Sequence, residues 1–211
     1  PDADEGKEKV AYFVDCFANW NDHELGYATV KLLRKLGICV VIPKQRPAPL
    51  PAFVYGNLKA ARRDLEYNIA QFAPLVQKGY KISCSEPSAA LCLKEEMPYL
   101  VDSQDARLVS DNTFELMDFL GRLSPERFPS NPLKSKDQYA YHAPCHLQSL
   151  RAGLVTPELF GRLGVQVEDL NGGCCGLAGT AGMQKKHHDL SDSIGRILAR
   201  KIESANPDII L

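Results

Sequence analysis

No apolar run in the sequence approaches the ~20 residues that a bilayer crossing needs. The longest, around Ile38 to Pro43, is strand-sized. Positive charge is not in surplus either: 25 basic residues stand against 26 acidic ones, a formal net charge of −1. Nucleic-acid binding, which needs Lys and Arg gathered in excess on one face, therefore has no compositional support. The chain contains no P-loop, no Rossmann glycine pattern and no Ser–His–Asp spacing, so nucleotide and serine-hydrolase chemistry have no motif to rest on. Disulfide-scaffold density is missing as well, with seven cysteines in 211 residues, an odd number. Pro1 to Lys9 (PDADEGKEK) is charged, lacks an apolar stretch, and reads as a linker or edge segment rather than a signal peptide. The expected compartment is the reducing cytoplasm, where clustered cysteines more often bind metal or catalyse than form disulfides.

What is present is an ordinary globular composition, 45% hydrophobic and 24% charged, sufficient for one sizeable core or two smaller ones. Strands and helices alternate. Val10 to Val14 is a strand. Leu25 to Leu36 has apolar residues at helical spacing and stops at Gly37. Ile38 to Ile42 is a strand, Leu58 to Lys78 a long helix ended by Gly79, and Tyr80 to Cys84 a third strand followed by a helix from about Ser88. The order then repeats. Gln138 to His142 is a strand, Thr156 to Leu163 a helix with Thr156 expected at its N-cap, and Val165 to Leu170 a strand. Ser191 to Glu203 is a helix, and Asp208 to Leu211 begins another strand. Such alternation predicts an α/β fold of two pseudo-repeated strand–helix halves with parallel sheets. Leu36-Gly37 and Leu163-Gly164 lie 127 residues apart, and the same offset carries Pro47-Ala48-Pro49 onto Cys174-Cys175-Gly176 and Cys16 to within two residues of Cys145. The expected organisation is an edge segment at 1–9, a first half at 10–123, a Pro-rich polar linker at 124–136, and a second half at 137–211.

The chemistry concentrates in the second half, in Pro144-Cys145-His146 and Gly172-Gly173-Cys174-Cys175-Gly176. Adjacent cysteines do not readily bond to each other, because the intervening peptide would be strained. In a Gly-rich loop they instead offer two soft thiolates with backbone free to approach a metal group closely. Such thiolates suit iron–sulfur clusters and zinc. Cys145 follows another strand at the end of the sheet where loops leaving parallel strands converge. Cys39 and Cys92 read as apolar filler, and Cys84 stands between filler and ligand. His142 and His146 flank Cys145 and could hydrogen-bond a sulfur or move a proton, or simply be polar residues at a strand–helix turn. His187-His188 follow Lys185-Lys186 and read as a solvated helix start or a cationic docking patch.

The pattern Cys145 … Cys174-Cys175-Gly176 resembles the CCG domain, the cysteine-rich module of heterodisulfide reductase B-type subunits. The module also occurs in anaerobic glycerol-3-phosphate dehydrogenase C-type and glycolate oxidase iron–sulfur subunits. The resemblance extends over Val10 to Asn21, Tyr141 to Leu147 and Cys174 to Gly182. It implies a [4Fe–4S] cluster held by Cys145, Cys174 and Cys175 together with a later Cys-x-x-Cys. It also implies electron transfer between a flavin-containing or ferredoxin-type partner subunit and a quinone or disulfide acceptor, without a membrane span but compatible with a membrane complex. The first half departs from the pattern, with Pro47-Ala48-Pro49 at the Cys-Cys-Gly position and Glu86 to Ala89 at the Cys-x-x-Cys position. It is expected to keep the fold without a cluster, leaving Cys16 vestigial or an auxiliary ligand. The second Cys-x-x-Cys would begin near position 213, two residues beyond Leu211. Ferredoxin-like four-Cys runs, which accompany the module in such proteins, are not in this sequence, so the chain is expected to be one part of a longer protein or complex. A scaffold or assembly module and a structural zinc site are the competing expectations.

Overall fold

Val10, Ala11, Tyr12 and Phe13 are all buried. A strand covered on both faces calls for helices above and below a parallel sheet, and that is the arrangement in the computed structural model, which describes residues 8–129 and 135–211. The chain divides into two compact units, Pro1–Arg127 and Phe128–Leu211.

In the first unit β1 (Lys9–Phe13) leads through α1 (Cys16–Trp20) and α2 (His23–Lys35) to β2 (Cys39–Val41). The chain continues through α3 (Leu50–Val54) and α4 (Leu58–Gln77) to β3 (Tyr80–Cys84). Next come α5 (Pro87–Leu91), a π-helical turn at Cys92–Glu96, α6 (Met97–Leu100), α7 (Gln104–Asp111), β4 (Thr113–Glu115) and α8 (Leu116–Gly121). The sheet order is β2-β1-β3-β4, all parallel. Helix α4 buries Ala61, Leu65, Ile69, Phe72 and Val76. Phe72 sets its ring 5.6 Å from that of Phe13 on the central strand.

The second unit runs β5 (Tyr139–Tyr141), α9 (Cys145–Ser149), α10 (Val155–Arg162), β6 (Val167–Asp169), α11 (His188–Ala205) and β7 (Ile209–Ile210). Its order, β6-β5-β7, reproduces β2-β1-β3. Lys9 faces both Cys39 and Tyr80 across the first sheet, as Tyr139 faces both Val167 and Ile209 across the second. These three residues and their counterparts are 130, 128 and 129 positions apart, and Cys16 and Cys145, each the first residue of a short helix, are 129 apart. The offset of 127 at the Leu-Gly pairs thus drifts by two residues, which places Cys16 on Cys145. Both helices α2 and α10 end at a glycine with positive φ, Gly37 (+76°) and Gly164 (+82°), a conformation in which a Cβ would be strained.

The local differences from expectation have identifiable causes. Helix α2 starts two residues early because the Asp22 carboxylate accepts the Leu25 N–H at 3.1 Å. Helix α10 starts at Val155, and Thr156 is buried instead of capping it. Of the segment 1–9, residues 1–7 lie outside the described residues and Lys9 already pairs in β1. Within 124–136, Pro125–Arg127 form one 3-10 turn and residues 130–134 lie outside the described residues. Among the described residues no helix is long and apolar enough to cross a membrane.

Candidate metal centre

Cys145 opens α9 immediately beyond the carboxyl end of β5, and Cys174 and Cys175 stand in the loop at 170–184 that leaves β6. Strands β5 and β6 are parallel neighbours, with Tyr141 opposite Asp169, so both loops depart from the same end of the sheet. All three cysteines are exposed, free thiols. They share one end of the unit without being closed into a ligand set: among the described residues no three His, Cys, Asp or Glu side chains are grouped to hold a metal ion.

The loop carrying the pair is shaped by its own backbone. Asn171, at φ +43°, donates its N–H to Asp169 Oδ1 at 2.9 Å. The Lys201 ammonium on α11 donates to the carbonyls of Leu170 (3.0 Å) and Asn171 (2.7 Å), fixing the exit from β6. Gly176 lies at φ +89°, and its N–H donates to Cys174 Sγ at 3.3 Å. A backbone N–H aimed at sulfur tunes a metal–sulfur group held there. His142 is half-buried next to Gly172, in a cavity of about 250 Å³ also lined by Gln148, Asp169 and Asn171. Burial lowers its pKa and Asp169 opposes that shift, an environment suited to a neutral imidazole. His187 Nδ1 lies 3.1 Å from the Ala181 carbonyl oxygen, which can only accept, so this ring ties down the far end of the loop; His188 is exposed.

The remaining cysteines differ in kind. Cys84 is fully buried, and its thiol is raised well above its usual range by burial and then by Asp15, Glu86 and Glu115. Burial and Glu96 push Cys92 up to about 12. Both are neutral apolar filler. Cys39 is half-buried in β2. Cys16 is exposed in a cavity of about 220 Å³ with Asp15, Trp20, Gln45 and Pro47, and its thiol is raised by burial, Asp15 and Glu86. The first unit thus presents one accessible thiol at this end of its sheet, whereas the second presents three. Exposed soft thiolates on glycine-shaped backbone, one of them accepting an N–H, fit an iron–sulfur cluster or zinc. The sequence does not single out Lys201 on α11, because a lysine at a solvated helix position carries no signal of the two loop carbonyls it meets.

A family model described as a cysteine-rich domain, CCG, matches residues 139–211. The C subunit of anaerobic glycerol-3-phosphate dehydrogenase from Escherichia coli K12 is 30% identical over 210 residues, covering 97% of this chain and 52% of the relative. An uncharacterized iron–sulfur protein of Methanocaldococcus jannaschii is 26% identical over 215 residues, 99% of this chain and 40% of the relative. Lactate utilization protein A of Bacillus subtilis is 29% identical over 182 residues, 82% of this chain and 74% of the relative. The chain spans about half the length of the glycerol-3-phosphate dehydrogenase relative. The second unit, with three exposed cysteines at one end of a parallel sheet, is thus a cysteine-rich domain of the CCG type.

Proposed function

We propose that the chain is an iron–sulfur electron-transfer protein in which Cys145, Cys174 and Cys175 hold one [4Fe–4S] cluster. The observation that carries this is the second unit's set of three exposed thiols on loops leaving one sheet end, with the Gly176 N–H donating to Cys174 Sγ. A [4Fe–4S] cluster takes four thiolates, of which Cys145, Cys174 and Cys175 supply three. The cluster would supply one-electron chemistry. The chain's own residues set the thiolate count and donate backbone hydrogen bonds to sulfur. The first unit, with Cys84 buried and protonated and Pro47-Ala48-Pro49 in place of the pair, keeps the fold and holds no cluster. Relatives named as a dehydrogenase subunit and as an iron–sulfur protein support a place inside a redox complex. There the chain takes electrons from a flavin-containing or ferredoxin-type subunit and passes them to a quinone or disulfide acceptor.

Anaerobic reconstitution with iron and sulfide, followed by metal analysis and EPR, tests the proposal. The expected result is a brown protein with about four irons per chain, lost in the Cys174→Ser/Cys175→Ser double variant. A colourless protein that retains stoichiometric zinc would replace the cluster with a structural zinc site. A protein that takes neither metal under strictly anaerobic conditions would be a scaffold.

A further inference from the structure

We infer that Gly195 and Ser191, on the face of α11 that meets the cysteine loop, are positioning residues that set where Cys174 and Cys175 stand. The inference rests on the iron–sulfur reading of that loop. Four positions on α11 engage the loop in antiparallel order. Lys201 binds the carbonyls of Leu170 and Asn171, and Leu198 closes on Gly172 so tightly that a Cβ there would collide with its side chain. At Gly195 a Cβ would sit 2.8 Å from the Cys175 carbonyl oxygen, and no side chain fits. The Ser191 hydroxyl donates to the Gly176 carbonyl at 2.9 Å, while a Cβ on Gly176 would strike the Ser191 carbonyl. Spacings of three, three and four residues keep these positions on one helix face, so α11 acts as a template along which the loop is laid.

The first unit shows that the fold alone does not demand this arrangement. Positions 129 residues earlier, on α4, are Arg62 for Ser191 and Glu66 for Gly195, and the two form an exposed ion pair at 2.8 Å. There the corresponding loop is held differently. The buried Asn68 amide accepts from the Arg46 N–H at 2.7 Å and donates to the Arg46 carbonyl at 3.0 Å. The first repeat holds this loop with a polar clamp; the repeat with Cys174-Cys175-Gly176 uses a glycine against a carbonyl. Close approach of the helix therefore accompanies the cysteine pair and not the sheet.

The test exploits the opposite effects of alanine on helix and loop. Alanine is the better helix former, so a glycine with no further role gives an equally or more stable protein when replaced. Gly195→Ala is compared with Gly161→Ala on α10, where nothing lies within 4 Å of the added Cβ. In the metal-free protein, alkylation of Cys174 and Cys175 relative to Cys145 is read by mass spectrometry, with circular dichroism and thermal melting alongside. Reconstituted protein is read by iron content and EPR line shape. Gly195→Ala is expected to change the relative alkylation of the pair and to lower metal affinity by about tenfold or more, any fall in melting temperature being accompanied by that change. Gly161→Ala is expected to match wild type in alkylation and iron binding, with an equal or higher melting temperature. Ser191→Ala, which removes one hydroxyl donor, should move the same readouts less. Wild-type alkylation and iron binding in Gly195→Ala, or a melting temperature lowered without a change at the pair, would overturn the inference. Failure of the wild-type protein itself to take iron would sink the cluster reading, and the alkylation comparison would still decide the role of Gly195.

Discussion

The seven thiols are chemically unlike one another, and the differences follow from burial and neighbouring charge. Cys84 and Cys92 lie inside the first unit, where desolvation and nearby carboxylates keep them protonated. Cys16, Cys145, Cys174 and Cys175 reach solvent. Titration of the folded, metal-free protein with an aromatic disulfide reagent should therefore consume these four readily, Cys16 the slowest, because burial and Asp15 raise its thiol. Cys84 and Cys92 should react only in denaturant; their fast reaction in the folded state would contradict this packing. Glu115 is a second residue with a consequence. It is buried and caps α8, accepting from the N–H groups of Met117 at 2.8 Å and Asp118 at 3.1 Å, yet desolvation raises its pKa to about 7. A carboxyl that holds its proton more tightly folded than unfolded adds stability below the unfolded value of about 4.5, and that stability is lost as pH rises through about 7. Urea unfolding from pH 5 to pH 8 should show the first unit losing up to about 3 kcal/mol. Glu115→Gln should flatten that slope, and an unchanged slope would assign it to other groups.

At the scale of elements, the repeating strand–helix order was legible because each strand is a short apolar run and each main helix carries an apolar stripe ended by a turn residue. The parallel α/β architecture followed from that order. The shared direction of the loops after β5 and β6 was legible for the same reason, since parallel strands send their exits to one end. Less legible were β4, α7 and α8, where short elements with mixed composition take their structure from packing on β3 and α4 rather than from periodicity. The templating face of α11 could not be read either, because a glycine made necessary by a carbonyl on another segment leaves no pattern in its own helix. The two equivalent helices also differ in how deeply they are buried. Leu65 on α4 is 2% exposed, and Ile194, 129 positions later on α11, is 37% exposed. Leu65→Ala should accordingly cost about 2–4 kcal/mol through the cavity it leaves. Ile194→Ala should cost well under about 1 kcal/mol, as a half-exposed position does. Chemical denaturation of the two variants measures the difference, and equal losses would mean that α11 is packed as α4 is.

For the whole molecule, that asymmetry makes the two units unequal in stability. The first has a four-stranded sheet with a large buried core that includes Tyr12, Phe13, Leu33, Leu65, Phe72 and Ile82. Among the described residues the second has three strands of two or three residues and a smaller set of buried apolar side chains, Ala140, Tyr141, Leu147, Ala152, Leu159, Val165 and Leu170. Burial of apolar area is the main stabilising contribution, and domains with small cores are those that metals most often complete. A group bound by the folded second unit and not by its unfolded chain shifts the folding equilibrium by mass action. Calorimetry of the metal-free protein should therefore resolve two transitions, the lower belonging to the second unit. Iron–sulfur loading should raise the lower transition and leave the upper one in place. Ile194→Ala should move the lower transition alone, and Leu65→Ala the upper alone. One transition that moves as a whole on loading would show that the units unfold cooperatively. The cluster would then stabilise the first unit as well as the unit whose cysteines hold it.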